Sequence, residues 1–270
     1  MDCLYVDLDG TLLGPGGDLF LDGEKRFSLL GARALEACAR AGCDVVIMTG
    51  RQQTQAKEDA RLLGHTDYIF EAGACVVLDG EEHWLTGDLR PGELSIHEQI
   101  LASGAPDLLL STYPGRLEYH SPWHLGREVS HCFRGLIDVE ETNALLVEHG
   151  HPGLRVLDNG MAHRRSPDLA ALPEVHVYHL LPIQSSKAAA VAFHQQARGH
   201  DRAATIGAGD SREDLAVAGS VGTFWLVANA VTKDPSIMGV AAEHDNVRVA
   251  EATHGAGVYE AVVTTLAERG

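Results

Sequence analysis

The chain has 270 residues, of which 45% are hydrophobic and 22% charged, and its formal net charge is -17. These proportions are typical of a soluble globular protein with one large domain, or with a core domain and a smaller one. The strong negative charge predicts repulsion from nucleic acid and from anionic membrane surfaces, so we expect neither as a partner.

Hydropathy and cysteine content bear on the compartment. No run of 18 or more apolar residues occurs, and the first residues lack the basic and apolar segments of a secretion signal. The five cysteines are odd in number and include no C-x-x-C pair, which fits a reducing environment better than a disulfide framework. We therefore expect a cytoplasmic protein without a membrane-spanning helix.

Strand-like and helical segments alternate through the first 80 residues. An apolar run at residues 3–6 predicts a buried strand, and apolar residues at helical spacing predict a helix over 28–41. A second apolar run at 45–48 precedes a predicted helix at 54–63, and two more strand-like runs follow it. Strands that alternate with helices indicate a parallel sheet of the α/β class.

The character of the sequence changes at about residue 81. The next hundred residues hold ten of the fifteen histidines and only short strand-like pieces, and the alternating pattern returns after residue 183. We therefore predict a core made of residues 1–80 and 183–270, with an inserted domain at 81–182. Within the insert, strands are predicted at 154–157 and 175–181; after it come helices at 186–197 and 212–218, strands at 203–206 and 224–227, and a closing helix from 258.

Polar clusters follow the predicted core strands at their carboxyl ends, where parallel α/β sheets bind ligands. Asp7 and Asp9 are two residues apart directly after the first strand, and at this spacing strand side chains share one side, so their charges would repel. A cluster of carboxylates without a cation is unfavourable, and oxygen ligands suit Mg²⁺. The other clusters are Thr49-Gly50-Arg51, Lys187 at the start of a predicted helix, and Asp210 with Asp214.

Four motifs in this order resemble those of the haloacid dehalogenase superfamily of phosphohydrolases. They are "DLDGT" from Asp7, "TGR" from Thr49, a lone Lys187 before a helix, and "GDSRED" from Gly209. The resemblance is closest to the Cof-type and sugar-phosphatase branch, in which a large cap is inserted between the second and third motifs. It covers the core alone, and it implies a Rossmann-like parallel-sheet core with an inserted α+β cap that selects the substrate.

The resemblance implies a Mg²⁺-dependent phosphatase that hydrolyses a small phosphorylated metabolite, such as a sugar phosphate or a phosphoglycerate derivative, through an aspartyl-phosphate. Asp7 would be the nucleophile and Asp9 the general acid and base. Lys187 would offset the charge that develops in the transition state. The other implied roles are phosphate binding by Leu8, Thr49, Gly50 and Lys187, and metal binding by Asp7, Asp9 through its carbonyl, Asp210 and Asp214.

Two positions depart from the pattern of the branch. Glu213 stands where the fourth motif usually has Asn, and Ala72 replaces the Asn of an E-N-G sequence near the end of the first core half. Neither departure touches the nucleophile. Since the D-x-x-x-D spacing of the fourth motif is intact, we expect metal binding to be retained.

Candidate substrate contacts are Arg51 in the core and Arg127, Arg134 and His179 in the cap. Arginine suits a carboxylate or a phosphate, although Arg51 could equally form only a structural salt bridge. His120 and His124 raise the alternative of a transition-metal site. A third interpretation is that residues 119–135, which contain these two histidines, form an ordinary, exposed pair of strands.

Other functions share parts of this pattern. A phosphomutase or a phosphotransferase, which passes the phosphoryl group to another hydroxyl, would use the same four motifs. A phospho-accepting signalling module of receiver type would be near half this length and would need no cap. The sequence does not decide between a monomer and a homodimer.

Overall fold

The computed structural model describes residues 1–162 and 165–269, whose strands form one sheet of eight strands and one of four. We number the strands in chain order. They are β1 (Cys3–Val6), β2 (Asp44–Met48), β3 (Tyr68–Phe70), β4 (Cys75–Leu78), β5 (Glu81–Trp84), β6 (Leu117–Tyr119), β7 (His131–Gly135), β8 (Leu154–Met161), β9 (His176–Pro182), β10 (Thr205–Gly209), β11 (Thr223–Leu226) and β12 (Val247–Val249).

The eight-stranded sheet has the order β12-β11-β10-β1-β2-β3-β4-β5. Its neighbours from β12 to β3 are parallel, whereas β4 and β5 pair in antiparallel fashion at one end. This confirms the α/β class with a parallel-sheet core. Because β1 lies between β10 and β2, the carboxyl ends of these three strands meet at one edge, where three of the predicted polar clusters follow them.

Helices cover both faces of this sheet. Leu4 and Val6 of β1 belong to one apolar cluster, and Cys3 and Tyr5 belong to a second one on the opposite face, as the alternation of strand side chains requires. None of the helices in the described ranges is long and apolar enough to cross a bilayer. The α-helices are α1 (Leu30–Arg40), α2 (Gln53–Leu63), α3 (Ile96–Ala102), α4 (Ala105–Thr112), α5 (Val139–Glu148), α6 (Lys187–Arg198), α7 (Arg212–Leu215), α8 (Ala228–Lys233), α9 (Ile237–Ala241) and α10 (His254–Arg269).

Some predicted bounds were wrong after residue 200. The strand predicted at 203–206 begins at Thr205, because Asp201 caps a short 3₁₀ helix over Arg202–Ala204. The closing helix starts at His254 instead of residue 258. Its first turn contains glycines, which have low helix propensity, so the sequence did not predict it as helical. Glycine is needed there, because a Cβ atom at Gly255 would lie 2.8 Å from the Cα of Gly31 in α1.

The four-stranded sheet has the antiparallel order β6-β7-β9-β8. Its two faces bury different partners. Tyr178 and Leu180 of β9 belong to an apolar cluster that includes residues of α3, α4 and α5, whereas Leu181 packs with Leu157 against Ala72 of the core. This second face, which we call the core-facing side of the cap, therefore lies over the large sheet.

The proposed boundaries between core and cap stay a prediction, with one adjustment from the strand pairing. Strand β5 begins at Glu81, inside the predicted insert, but it pairs with β4 in the large sheet. The strands of the small sheet lie between Leu117 and Pro182. The insert as a separate layer therefore starts after β5.

Candidate active site

Asp7 and Asp9 do not share a strand face, because β1 ends at Val6. The side chain of Asp7 is buried, whereas that of Asp9 is 56% exposed. Each carboxylate has its own cation: Lys187 Nζ lies 2.7 Å from Asp7 Oδ1, and Arg51 donates to both oxygens of Asp9 at 2.7 and 2.6 Å. Separate counter-ions thus offset the repulsion that the sequence predicts.

Gly10 forms the turn that brings this loop against the fourth motif. Its φ is +88°, and a Cβ atom there would lie 2.4 Å from Asp210 Oδ2. Both the conformation and the close approach require glycine. Asn229 Nδ2 donates to the Gly10 carbonyl at 2.8 Å, and Thr11 Oγ1 donates to Asp210 Oδ1 at 3.4 Å, so two side chains brace the turn.

Three carboxylates converge at the carboxyl edge of the sheet. Oxygens of Asp7, Asp210 and Asp214 all lie within 4.8 Å of one another. The buried Lys187 ammonium donates to Asp214 Oδ1 at 2.5 Å as well as to Asp7, and Lys233 contacts Asp210. Two ammonium groups against three carboxylates leave one negative charge uncompensated in a buried site.

The surplus negative charge disfavours full ionisation of the cluster. Burial and the neighbouring Asp214 carboxylate raise the pKa of Asp7 to about 8, although Lys187 acts in the opposite direction. Burial also raises the pKa of Asp210 against the attraction of Lys233. A divalent cation would supply the missing charge, and an all-oxygen donor set fits a hard cation such as Mg²⁺.

Asp214 organises the loop of the fourth motif. With Ser211 it forms a capping box at the start of α7. Its Oδ2 accepts from the Asp210 amide at 3.2 Å, the Ser211 amide at 3.1 Å and the Ser211 hydroxyl at 2.6 Å. Because Lys187 takes its other oxygen, Asp214 is well satisfied within the protein and holds Asp210 and Lys187 in place.

The second motif lies under the cap. Thr49 is buried and its Oγ1 accepts from the Arg51 amide at 3.1 Å. Arg51 also donates to Asp59 at 2.8 Å, so its guanidinium is engaged by two core carboxylates. The side chain of Leu8 is buried in the core, so its backbone alone could contact a phosphate. A Cβ atom at Gly50 would lie 3.1 Å from Asn159 Nδ2 and 3.4 Å from His179 Nε2 of the cap.

A core carboxylate fastens the cap. Glu71 is fully buried and accepts from the backbone amides of Glu128 at 2.7 Å, Val129 at 3.2 Å and Ser130 at 2.6 Å. It also accepts from the Ser130 hydroxyl at 2.8 Å. Ala72, the departure from E-N-G, has φ +55° and packs against the cap leucines. The apolar residue at this position therefore serves the contact between core and cap.

The predicted cap contacts occupy different positions. Arg127 is buried and donates to the carbonyl of Gly50 at 3.1 Å, so it ties the cap to the second motif. Arg134 pairs with Glu118 at 2.6 Å. His179 faces Gly50, as described above. His120 and His124 belong to no close group of three metal-ligating side chains within the described ranges.

Glu213, the other departure, also lies where core and cap meet. It is largely buried, and its Oε1 accepts from the Lys187 amide at 3.4 Å and lies 3.7 Å from Arg155 of β8. Burial raises the pKa of the Glu213 carboxyl, and Arg155 opposes this. Glu213, in place of the usual Asn, therefore adds an ion pair with Arg155 of the cap.

Sequence reasoning missed several of these groups. Lys233 was identifiable as one of only four lysines, but nothing in its spacing pointed to Asp210. Glu71 was visible as the first residue of the altered E-N-G sequence. No local signal singled out Asn159, because its position depends on how the cap lies on the core.

A second group of metal-ligating side chains lies at the opposite end of β1. It comprises Cys3, His194 and His200. Both ring nitrogens of His194 have protein partners, the Tyr5 hydroxyl at 2.8 Å and Asp67 Oδ2 at 3.0 Å. A metal would have to displace one of these bonds, so we interpret the group as part of a buried hydrogen-bond network.

Comparison of the sequence with known families gives a match to the first core segment. Residues 4–90 match the haloacid dehalogenase-like hydrolase family. A phosphoglycolate phosphatase from Pyrobaculum neutrophilum is 38% identical over 103 residues, which are 38% of this chain. The matched segment spans 41% of that relative, so it covers less than half of it.

Solved structures share the fold of nearly the whole chain. A sucrose-phosphatase from Synechocystis, solved with sucrose and phosphate, has a TM-score of 0.63 at 18% identity and covers 97% of both chains. A phosphatase from Bacteroides thetaiotaomicron has a TM-score of 0.64 at 17% identity, over 98% of this chain and 94% of its own. At these identities the likeness shows the fold, and it extends over both core and cap.

Proposed function

We propose that this chain is a Mg²⁺-dependent phosphatase that acts on a small phosphorylated metabolite through an aspartyl-phosphate on Asp7, in keeping with the match of residues 4–90 to the haloacid dehalogenase-like hydrolase family. The observation that carries the proposal is the cluster of three carboxylates around the buried ammonium of Lys187. A buried charge cluster of this kind costs stability, and a catalytic role explains why it is kept.

Asp7 is the proposed nucleophile. Lys187 holds its Oδ1 at 2.7 Å, which fixes the orientation of the carboxylate. The same ammonium, together with Thr49 and the Gly50 amide, would offset negative charge on the phosphoryl oxygens. Preorganised donors of this type contribute roughly 10²–10³ in rate for each donor.

Asp9 is the proposed general acid and base. In the structure it accepts both N–H groups of the Arg51 fork, and a carboxylate bound in this way carries no proton to donate. Asp9 therefore has to leave Arg51 when it protonates the leaving oxygen. It is ready to act as a base toward water without that change.

Asp7, Asp210 and the Asp9 carbonyl would hold Mg²⁺, with Asp214 behind them. When bound, the ion would neutralise charge on the phosphoryl oxygens. Lys233, which is 32% exposed, would withdraw from Asp210 and leave the three carboxylates balanced by the metal and Lys187.

The names of similar proteins support the general substrate class. One relative is a phosphoglycolate phosphatase, and one structural neighbour is a sucrose-phosphatase. Both act on the phosphate ester of a small organic compound, as their names state. Thr49 of the core and His179 of the cap are both buried where core and cap meet, which supports a small substrate here as well.

The test is phosphate release from sugar phosphates, phosphoglycolate, phosphoglycerates, nucleotides and p-nitrophenyl phosphate, with Mg²⁺ and with chelator. We expect metal-dependent release that Asp7→Asn abolishes while the fold, followed by circular dichroism, is retained. Retained activity in Asp7→Asn would refute the nucleophile. Transfer to an added alcohol or sugar without free phosphate would instead support a phosphotransferase or a phosphomutase.

A further inference from the structure

A chain of hydrogen bonds connects the buried Glu71 of the core to His179 on the core-facing side of the cap. Glu71 Oε2 lies 2.8 Å from Ser130 Oγ, and Ser130 Oγ lies 3.2 Å from His179 Nδ1. All three side chains are at most 1% exposed. The direction of these bonds decides which nitrogen of His179 carries the proton.

Glu71 fixes the direction at the first bond. Three backbone amides already point at its oxygens, so the carboxylate is held as an acceptor. The hydroxyl proton of Ser130 must therefore lie on the 2.8 Å contact to Glu71. Ser130 Oγ then has only lone pairs to offer to its other neighbours.

Arg127 confirms this assignment of the hydroxyl. Its Nη1, which is always a donor, lies 3.0 Å from Ser130 Oγ. The remaining lone pair of Ser130 faces His179 Nδ1, so Nδ1 must be the donor and carry the proton. Burial lowers the pKa of His179 far below its usual value, and Arg127 and His120 act in the same direction, so the ring is neutral. In a neutral ring protonated at Nδ1, Nε2 carries no proton and can only accept a hydrogen bond.

This bare nitrogen lies over the second motif. A Cβ atom at Gly50 would be 3.4 Å from His179 Nε2 and 3.1 Å from the Asn159 amide nitrogen. One acceptor and one donor therefore lie close to the same point above the second motif, whose Thr49 and Gly50 would bind the phosphoryl group. A hydroxyl can satisfy both, since it donates and accepts, whereas an ionised carboxylate or the dianion of a phosphate ester offers no proton to Nε2.

We propose that His179, protonated at Nδ1 through Ser130 and Glu71, recognises with Asn159 a hydroxyl on the alcohol part of the phosphate ester, next to the ester carbon. The proposal deepens the proposed phosphatase function and rests on it. His179 and Asn159 are specificity residues that touch the substrate, and Ser130 and Glu71 are positioning residues that set the tautomer.

The tautomer can be measured without any substrate. In protein labelled with ¹⁵N at histidine, two-bond proton–nitrogen correlations distinguish a ring protonated at Nδ1 from one protonated at Nε2. We expect the Nδ1–H form for His179, its loss in Ser130→Ala, and its return in Ser130→Thr, which restores the hydroxyl. A ring protonated at Nε2 in the unsubstituted protein would overturn the proposal.

The substrate hydroxyl is tested with two esters that differ in a single group. Glycerol 3-phosphate and 3-hydroxypropyl phosphate carry the same charge, but the second lacks the hydroxyl next to the ester carbon. We expect kcat/KM to favour the first by about 10-fold or more, because the analogue leaves Nε2 of the buried His179 and the amide of the half-buried Asn159 unpaired. His179→Phe should reduce this ratio to near one.

His176→Gln is the matched control. His176 lies on the same strand on the opposite side and pairs with Asp158 at 2.7 Å, so its substitution should leave the ratio unchanged. A ratio that His179→Phe does not alter would overturn this inference alone. Failure to hydrolyse any ester, p-nitrophenyl phosphate included, would overturn the proposed function and this inference with it.

Discussion

Lys187 Nζ lies 2.7 Å from Asp7 Oδ1, although 180 positions separate the two residues in the chain. The contact joins the first core segment to the helix that follows the cap. Any substitution that removes this ammonium leaves Asp7 and Asp214 as adjacent buried carboxylates, so catalysis and stability should change together.

Lys187→Met is expected to lower kcat by roughly 10²–10³, because the ammonium would no longer offset phosphoryl charge. In the presence of a chelator, it should also lower the free energy of unfolding by about 3–5 kcal/mol, because the buried carboxylates of Asp7 and Asp214 lose their cation. Steady-state kinetics and urea unfolding measure the two effects. Lys57→Met, on the exposed surface of α2, is the control, and a mild effect of Lys187→Met on both would contradict the assignment.

Mg²⁺ should stabilise the protein more at pH 8.5 than at pH 5.5. The pKa of Asp7 is raised to about 8. At pH values between the ordinary pKa of an aspartate and about 8, the folded state therefore holds more protons than the unfolded state. The metal-free fold therefore loses stability as the pH rises through this window, and Mg²⁺ binds best where the carboxylate is charged. Thermal unfolding with Mg²⁺ and with chelator tests this. Equal shifts in Tm at both pH values would refute it.

Lys233→Met should increase the affinity for Mg²⁺ and lower the stability of the metal-free protein. Lys233 contacts Asp210, so its ammonium competes with a cation for that carboxylate. Isothermal titration calorimetry should show a lower Kd for Mg²⁺ than in the unsubstituted protein, with Lys57→Met unchanged. Weaker binding would mean that Lys233 supports the metal site instead of competing with it.

Glu71→Gln should destabilise the chain by about 1–3 kcal/mol, because the amide that replaces one oxygen cannot accept a backbone N–H. Glu71 accepts from three consecutive cap residues, so hydrogen exchange at residues 128–130 should accelerate selectively. Glu140→Gln, on the exposed side of α5, provides the control. Unchanged exchange at 128–130 would show that Glu71 does not fasten the cap.

Arg51→Lys should lower kcat about 10-fold or more, because in the proposed base step Asp9 acts on water while the guanidinium holds both of its oxygens, which an ammonium cannot do. We expect KM to change little, since Arg51 contacts Asp9 and Asp59 and both belong to the core. A rise in KM with unchanged kcat would instead favour Arg51 as a substrate contact.

Much of the core could be predicted from the sequence, because its signals are local. The alternation of apolar runs with helical spacing gave the α/β class, and the positions of Asp7, Thr49 and Asp210 after strands gave the edge at which they meet. At Gly10, the φ of +88° and the close approach to Asp210 explain why the first motif has glycine at this position.

The features that could not be predicted from the sequence depend on contacts between residues that are far apart in the chain. Arg51 was a candidate for the substrate, but only the folded chain shows that its guanidinium lies on Asp9 and Asp59. Lys233 and Asn159 have no local pattern that indicates a partner. The same holds for Glu71, whose role depends on a loop of the cap almost 60 residues later.

The alternation of side chains in β9 has a consequence for variation among proteins with this cap. Tyr178 and Leu180 belong to the core of the cap, while His179 and Leu181 face the large sheet. Deleting or inserting one residue in this strand would turn an apolar side chain toward Gly50 and force the imidazole into the apolar cluster. Substrate selectivity can therefore change through substitutions on the core-facing side of the cap. A change of one residue in the length of β9 would instead disrupt the apolar core of the cap.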